Sequence, residues 1–458
     1  MLTRTSIPVL LLALASLASA QKVTTSQYGN LRQGVNRIET AINPRNVNPQ
    51  HFGKLFTLPV DGDIYAQPLF LPGVEIPGRG RHDVLYVATE HDSVYAFDAY
   101  KPGPPLWQVS LLAPDTMPVP SDYTNCPFIR PEVGITSTPV IDEATGTLYV
   151  LARTRNRHNN VYHQTLHALA ITNGVEKFAP PVEIQATIQG SGKGSFFGKL
   201  AFDPALENPR AALTLANGAV TLTWGSSCDV GPYHGWIISY DAHTLQQRAV
   251  FNASPDNNES GFWASDTGPA VDPQGNLIIA TGNGRFDVAT GSRDYGDSLL
   301  KLDPSLHVTD YFTPFDADKL SRTDADLGSG GPLLIPDQPG PHPHLAVIAG
   351  KSGTIFLVDR DHMGQFHPGD NSHAVQTIPN KGGVYASSAF WNHTLYVLSD
   401  SDEDALQAFD LANSHLTRKA TSGGAFGAIC ATPTISANGD KDGILWVLRS
   451  KTWNGPDN

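Results

Sequence analysis

Helical patterning is missing from this chain: no amphipathic run stands out after the first twenty residues. Positive charge is also thin. The formal net charge is −13 and the lysines and arginines do not cluster, so there is no basic stripe for a nucleic acid. No segment after the N-terminus is apolar for long enough to cross a bilayer. Catalytic signatures are equally scarce. There is no Gly-x-Ser-x-Gly elbow, phosphate loop, zincin helix or Cys-x-x-Cys pair. The glycine clusters Gly282-Asn283-Gly284 and Gly328-Ser329-Gly330-Gly331 flank strands and open no helix, so they offer no helix N-terminus to a phosphate. Cysteine occurs three times, at Cys126, Cys228 and Cys430, which leaves one over from any pairing.

The N-terminus reads as an export signal over residues 1–20. Arg4 precedes the apolar run Val9 to Ala15, and Ala18-Ser19-Ala20 is a small-residue cleavage site. Secretion or a periplasmic location follows, and with it an oxidising compartment. Cys126 and Cys228 lie in long polar loops and are expected to pair. Three free thiols are the other reading, since spacing alone does not prove a bridge. Cys430 sits in the strand-like run Ala428 to Thr432 and reads as a buried free thiol.

What the sequence does have is repetition. Leu85-Tyr86-Val87-Ala88-Thr89 is followed, after a polar turn, by Ser93-Val94-Tyr95-Ala96-Phe97-Asp98. Leu345 to Ala349 precedes Thr354 to Asp359, and Leu395 to Leu398 precedes Leu406 to Asp410. Each pair is a buried strand, a turn and a second strand ending in Asp. Small residues and proline introduce an inner strand ahead of each pair, as in Ala66-Gln67-Pro68, Ser137-Thr138-Pro139 and Gly330-Gly331-Pro332. A strand-only unit recurring every ~50–70 residues predicts an all-β fold, a β-propeller of about seven blades. Residues 21–51 read as an extended lead-in and 52–458 as the propeller. Phe52 to Val60 alternates apolar and polar residues and is expected to form a strand that helps close the last blade. That blade is incomplete by sequence, because nothing follows Gly443 to Leu448 that resembles a second Asp-terminated strand.

Tyr95-Ala96-Phe97-Asp98-Ala99, the Gly103 turn and Trp107 resemble the pyrroloquinoline-quinone-type propeller repeat. Together with Asp63-Ile64-Tyr65-Ala66-Gln67-Pro68, Gly231-Pro232-Tyr233-His234-Gly235-Trp236 and Lys351 to Asp361, they make the chain similar to exported quinoprotein-like propellers of soil bacteria. The resemblance spans about Phe52 to Leu448. It implies a ring of seven blades, or eight in a full-length relative, and a chain truncated at its C-terminus. Quinoprotein dehydrogenases hold their quinone under a ring of two adjacent cysteines, bind calcium through Glu, Asn and Asp, and use an Asp as base. No adjacent cysteines occur here. The resemblance therefore implies a fold, while pyrroloquinoline quinone and calcium lack recognisable binding residues in the sequence.

In a propeller the loops at one end of the channel carry function. Asp63, Tyr65, Glu132, Trp263, Asp266, Asp326 and Tyr385 precede inner strands, and His234 lies between a second and a third strand, so all eight belong at that end. Such a mouth could bind a cation, a sugar or a basic group, although each acid could equally cap its own turn. His234 beside Tyr233 could stack on a sugar or act as a base, or simply bond to backbone in an anchored loop. The first expectation is a scaffold that binds a small molecule, a carbohydrate or an extracellular protein at the mouth without clear catalytic machinery. Its rival is a quinone- and calcium-dependent oxidoreductase, or a carbohydrate-active enzyme, using mouth carboxylates.

Overall fold

The computed structural model describes residues 21–178, 180–265, 267–427 and 431–449. Seven sheets form the blades of a β-propeller, and consecutive strands pair antiparallel from the axis outward. Blade one consists of Leu69–Ile76, Gly80–Ala88, Ser93–Asp98 and Trp107–Ser110. Blade two is Val140–Asp142, Thr147–Asn156, Tyr162–Ala170 and Val182–Glu183; blade three is Thr214–Ala216, Ala219–Ser226, Trp236–Asp241 and Gln247–Asn252. Blade four is Ala270–Val271, Leu277–Ala280, Leu299–Leu302 and Val308–Thr313; blade five is Leu333–Leu334, Leu345–Ala349, Ile355–Asp359 and Gln376–Ile378. Blade six is Ala389–Trp391, Thr394–Leu398, Leu406–Ala412 and His415–Thr421. Blade seven has two strands of its own, Thr434–Asn438 and Lys441–Trp446, joined on the inner side by Val35–Asn36. A six-residue α-helix, Ala317–Arg322, is the only α-helix among the described residues, and none of their helices is long and apolar enough to cross a membrane.

The recurring Asp at the end of the third strand has a local cause. Asp98, Asp241, Asp303 and Asp359 each accept the backbone N–H two residues on, at 2.8–3.0 Å, and so pin the turn into the outer strand. Blade six departs from this, since Asp410 instead accepts from the Thr394 hydroxyl and the Lys419 ammonium. Both faces of the central strands are apolar because each blade is sandwiched between two others. Val84 and Tyr86 of blade one pack with Leu148 and Val150 of blade two, and Tyr149 and Leu151 pack onward against Val220 and Leu222 of blade three. Each fully buried aliphatic side chain of this kind contributes roughly 1.5–3 kcal/mol. Trp107 adds a polar latch between blades: its indole N–H donates to the Ile171 carbonyl at 3.0 Å. Gly174, at φ +71°, lets that ring close down, since a Cβ there would stand 2.7 Å from it.

The lead-in threads the ring. Val23 exchanges hydrogen bonds with Phe70 of blade one, and the Thr24 carbonyl accepts from Ile141 of blade two. The Asn30 amide side chain donates to Leu215 of blade three, and the Asn30 carbonyl accepts from Val271 of blade four. Leu31, Gln33 and Gly34 accept from Leu334, Phe390 and Ile435 of blades five, six and seven. Seven inner edges that would otherwise present unpaired amides are thereby capped in order by one stretch of chain. Arg32 lies fully buried within it and donates to Pro269 O, Ser26 O and the hydroxyls of Thr25 and Thr214.

Phe52 to Val60 forms no strand, contrary to its alternation. Its apolar residues work through side chains: the Phe52 ring meets Trp446 of blade seven at 5.1 Å, while Leu58 and Val60 pack on Val87, Tyr95 and Phe97 of blade one. The segment fills the seam between the last and first blades without joining either sheet. Residues 1–20 and Cys430, read as the signal and a buried thiol, lie outside the described residues.

Candidate functional site

Antiparallel order sends the connections into each inner strand, and those joining second to third strands, to one end of the ring. The Cys126–Cys228 disulfide lies there, with a Cα–Cα distance of 5.4 Å. It ties the connection between blades one and two to a loop of blade three. Asp229, next to it, accepts the Tyr233 hydroxyl at 2.7 Å, and Tyr233 packs edge-on against Trp263 with ring centroids 5.9 Å apart.

The candidate residues divide into separate neighbourhoods. On the side of blades one and two, Asp63 is exposed and its carbonyl takes the Glu90 amide. Tyr65 is half-exposed and donates to Phe128 O at 3.1 Å, while Glu132 pairs with His91 at 2.5 Å. Beneath them Glu90 is fully buried, accepting from the Gly134 amide at 2.7 Å and the Thr136 hydroxyl at 3.0 Å. Burial pushes its carboxyl up to about 7. Asp92 is buried beside it and is raised well above the carboxylate range, by burial first and by Glu90 second. Arg153, also buried, is lowered to about 10 by loss of solvent, with Glu90 and Glu207 drawing it back.

His234 is engaged on both ring nitrogens, with Ser254 O at 3.0 Å and Lys193 O at 2.9 Å, and its backbone N–H donates to the Glu207 carboxylate. Burial lowers it. The ring anchors its loop and has no nitrogen left for a substrate proton.

Trp263, Asp326 and Tyr385 come together on the side of blades four to six. Asp326 is buried; one oxygen accepts the Asn283 amide at 2.6 Å and the other meets the Lys351 ammonium at 2.5 Å. Burial raises Asp326, and Lys351 pulls it part of the way back. Lys351 loses solvent too, but Asp326 and Asp324 hold it above ordinary lysine. Tyr385 is raised by burial and by the carboxylates of Asp400, Asp324 and Asp326. Asp266 lies outside the described residues.

Two further residues complete this cluster: Asn283 and Lys351. Asn283 is nearly buried and its side-chain oxygen has no hydrogen-bond partner, although its NH2 donates to Asp324 at 2.8 Å. Trp263 Nε1 is likewise buried and unpartnered. Gly282 makes the arrangement sterically attainable, since a Cβ there would lie 2.2 Å from Asp326 Oδ1 and 2.6 Å from Trp263 Nε1. On the other side of the Trp263 ring a Cβ at Gly225 would lie 3.2 Å away, and Gly225 pairs with Asn208, next to Glu207. Asn283 and Asp326 thus come from two elements grouped about one indole. Gly284, on the other side of Asn283, makes room for Ser260, since a Cβ there would lie 2.2 Å from the Ser260 hydroxyl oxygen.

No protein-family model matches the chain, and no curated protein matches its sequence. Solved structures do match in fold. A quinohemoprotein alcohol dehydrogenase, ADHIIG, from Pseudomonas putida HK5 superposes with a TM-score of 0.59 at 14% identity, covering 94% of this chain and 71% of that one. The quinohemoprotein alcohol dehydrogenase of Comamonas testosteroni gives 0.53 at 13% identity, over 91% and 75% of the two chains. A europium-containing methanol dehydrogenase gives 0.55 at 12% identity, over 92% and 82%. In fold, the chain is a seven-bladed β-propeller similar to the propellers of these quinoprotein dehydrogenases.

Proposed function

We propose that this protein is an exported oxidoreductase of the quinoprotein kind, with its site around Trp263. The observation that carries the reading is the orphaned, buried Asn283 oxygen beside the Asp326 carboxylate. An oxygen left without a donor is costly unless a cation or a ligand proton meets it. Glu, Asn and Asp are the donor types with which quinoprotein dehydrogenases hold calcium, and oxygen donors suit that ion. Of these, Asn283 and Asp326 would hold the cation, and the Trp263 indole would offer an aromatic surface to a planar quinone. When bound, an ortho-quinone takes two electrons and two protons from an alcohol, giving a carbonyl compound and a quinol.

This chain's own residues would do the rest. Lys351 keeps Asp326 fixed and supplies positive charge against an anionic ligand. Asp326, raised by burial, is poised to accept a hydroxyl proton. The departure from the dehydrogenases is in the cysteines: the bridge joins Cys126 and Cys228, 102 residues apart, in place of adjacent cysteines. That substitution favours the second reading, a scaffold that binds its ligand at the mouth and does no chemistry. The bridge itself supports an oxidising compartment.

Dye-linked oxidation of primary alcohols and sugars, measured with added pyrroloquinoline quinone and calcium, separates the two readings. Turnover lost in Asp326→Asn supports the oxidoreductase. Saturable quinone binding with no turnover of any substrate supports the scaffold.

A further inference from the structure

Between the outer strand of blade two and the inner strand of blade three, the chain makes a separate hairpin, Thr187–Gln189 with Lys199–Ala201. Its tip carries two phenylalanines. Phe196 is 75% exposed and Phe197 89%, and their rings contact each other edge-on at 4.3 Å. Exposing two adjacent large aromatics forgoes several kcal/mol that burial would return. Phe197 also sits at φ +49°, a conformation that costs a phenylalanine free energy and a glycine none.

The tip is braced. Phe196 and Lys199 exchange backbone hydrogen bonds at 2.8 and 3.1 Å. Gly192 and Lys193 donate to the carbonyls of Pro255 and Asn257 at 3.0 and 2.8 Å. Beneath it the His234 ring meets the Lys193 carbonyl. Gly190 lies so close to Pro255 O that a Cβ would stand 2.2 Å from it. Rings held rigidly in water by a clamped backbone are preorganised for an external surface. Lys193 and Lys199 flank them, both exposed, and neither has an ion-pair partner among the described residues.

We propose that this hairpin docks the propeller, mouth first, onto an anionic lipid bilayer. A convex aromatic tip between two free lysines has the chemistry of the membrane interface: rings enter the headgroup boundary and ammonium groups meet lipid phosphates. A protein partner would have to supply a cavity for both rings; a bilayer supplies one anywhere. With a formal net charge of −13 the rest of the molecule is repelled by such a surface, which favours contact through this basic tip alone. The proposal does not depend on the oxidoreductase reading.

Co-sedimentation of the full protein with vesicles of phosphatidylcholine, with and without phosphatidylglycerol, tests it. Expected are binding that needs the anionic lipid and weakens with salt, and a loss on the order of tenfold both in Phe196→Ser/Phe197→Ser and in Lys193→Glu/Lys199→Glu. Both variants alter only exposed side chains, and unchanged thermal melts establish that they fold. Absence of vesicle binding by the wild type, or binding that both variants retain, overturns the proposal. So does a dimer in light scattering that the double serine variant abolishes, since the tip would then bind a second copy.

Discussion

The amide of Ile435, in the last blade, donates to the carbonyl of Gly34 at 2.8 Å, which ties the seventh blade to the start of the described chain. The same stretch reaches blade one at Val23, so ring closure runs through the axis as well as through the rim. Arg32 is the buried centre of this stretch, lowered to about 9 by loss of solvent and satisfied by four acceptors. Arg32→Ala would leave those acceptors unmatched. A loss of about 3 kcal/mol is expected, since hydrogen bonds to charged groups are worth roughly 1.5–3 kcal/mol. Urea denaturation measures it, and a variant as stable as wild type contradicts the axial role.

Glu90 predicts a pH dependence of opposite sign to that of a paired carboxylate. Its folded pKa, about 7, lies above the unfolded value near 4.5, so the folded state binds the extra proton between these limits. Stability is fully present below about 4.5 and is lost as pH rises through about 7, by on the order of 3 kcal/mol from this group. Asp92 adds to the same trend. Glu90→Gln keeps an oxygen toward Gly134 and Thr136 and should flatten the slope between pH 5 and 8. Paired denaturation curves at those two pH values check it, and an unchanged slope in the variant removes Glu90 as the cause.

The Cys126–Cys228 bridge closes a separation of 102 residues. In the chain-entropy account a loop of that length is worth roughly 4–5 kcal/mol, an upper figure. Cys126→Ser/Cys228→Ser should lower the melting temperature and, by freeing the Asp229–Tyr233 loop, change the fluorescence of Trp263. Calorimetry with and without reductant measures the first effect. Equal melting temperatures in both would deny the bridge a stabilising role.

Much of this was legible because it is local. Strand, turn and terminal Asp lie within a few residues of one another, and the Asp98, Asp241 and Asp359 turns are written in consecutive side chains. The axial path of residues 23–35 was not legible, since its bonds run mainly through backbone atoms and leave almost no trace in residue type. Phe52 to Val60 misled for a related reason: Leu58 and Val60 alternate because their side chains pack on blade one, with no hydrogen-bonded partner strand. Around the site, Trp263 and Asp326 were readable from position before an inner strand. Asn283 and Lys351 were hidden, because contact among blades four and five depends on the ring's geometry and on no sequence spacing.

The central claim is that Asn283 and Asp326 beside Trp263 hold a calcium-bound quinone. Its most direct measurement is a fluorescence titration of the purified protein with pyrroloquinoline quinone, in calcium and in chelator, repeated on Asn283→Ala. The account predicts saturable quenching of tryptophan emission that requires calcium and that weakens about tenfold or more in Asn283→Ala, the loss of one charge-assisted contact. Quenching that is absent, or that is indifferent to both calcium and Asn283, would contradict it.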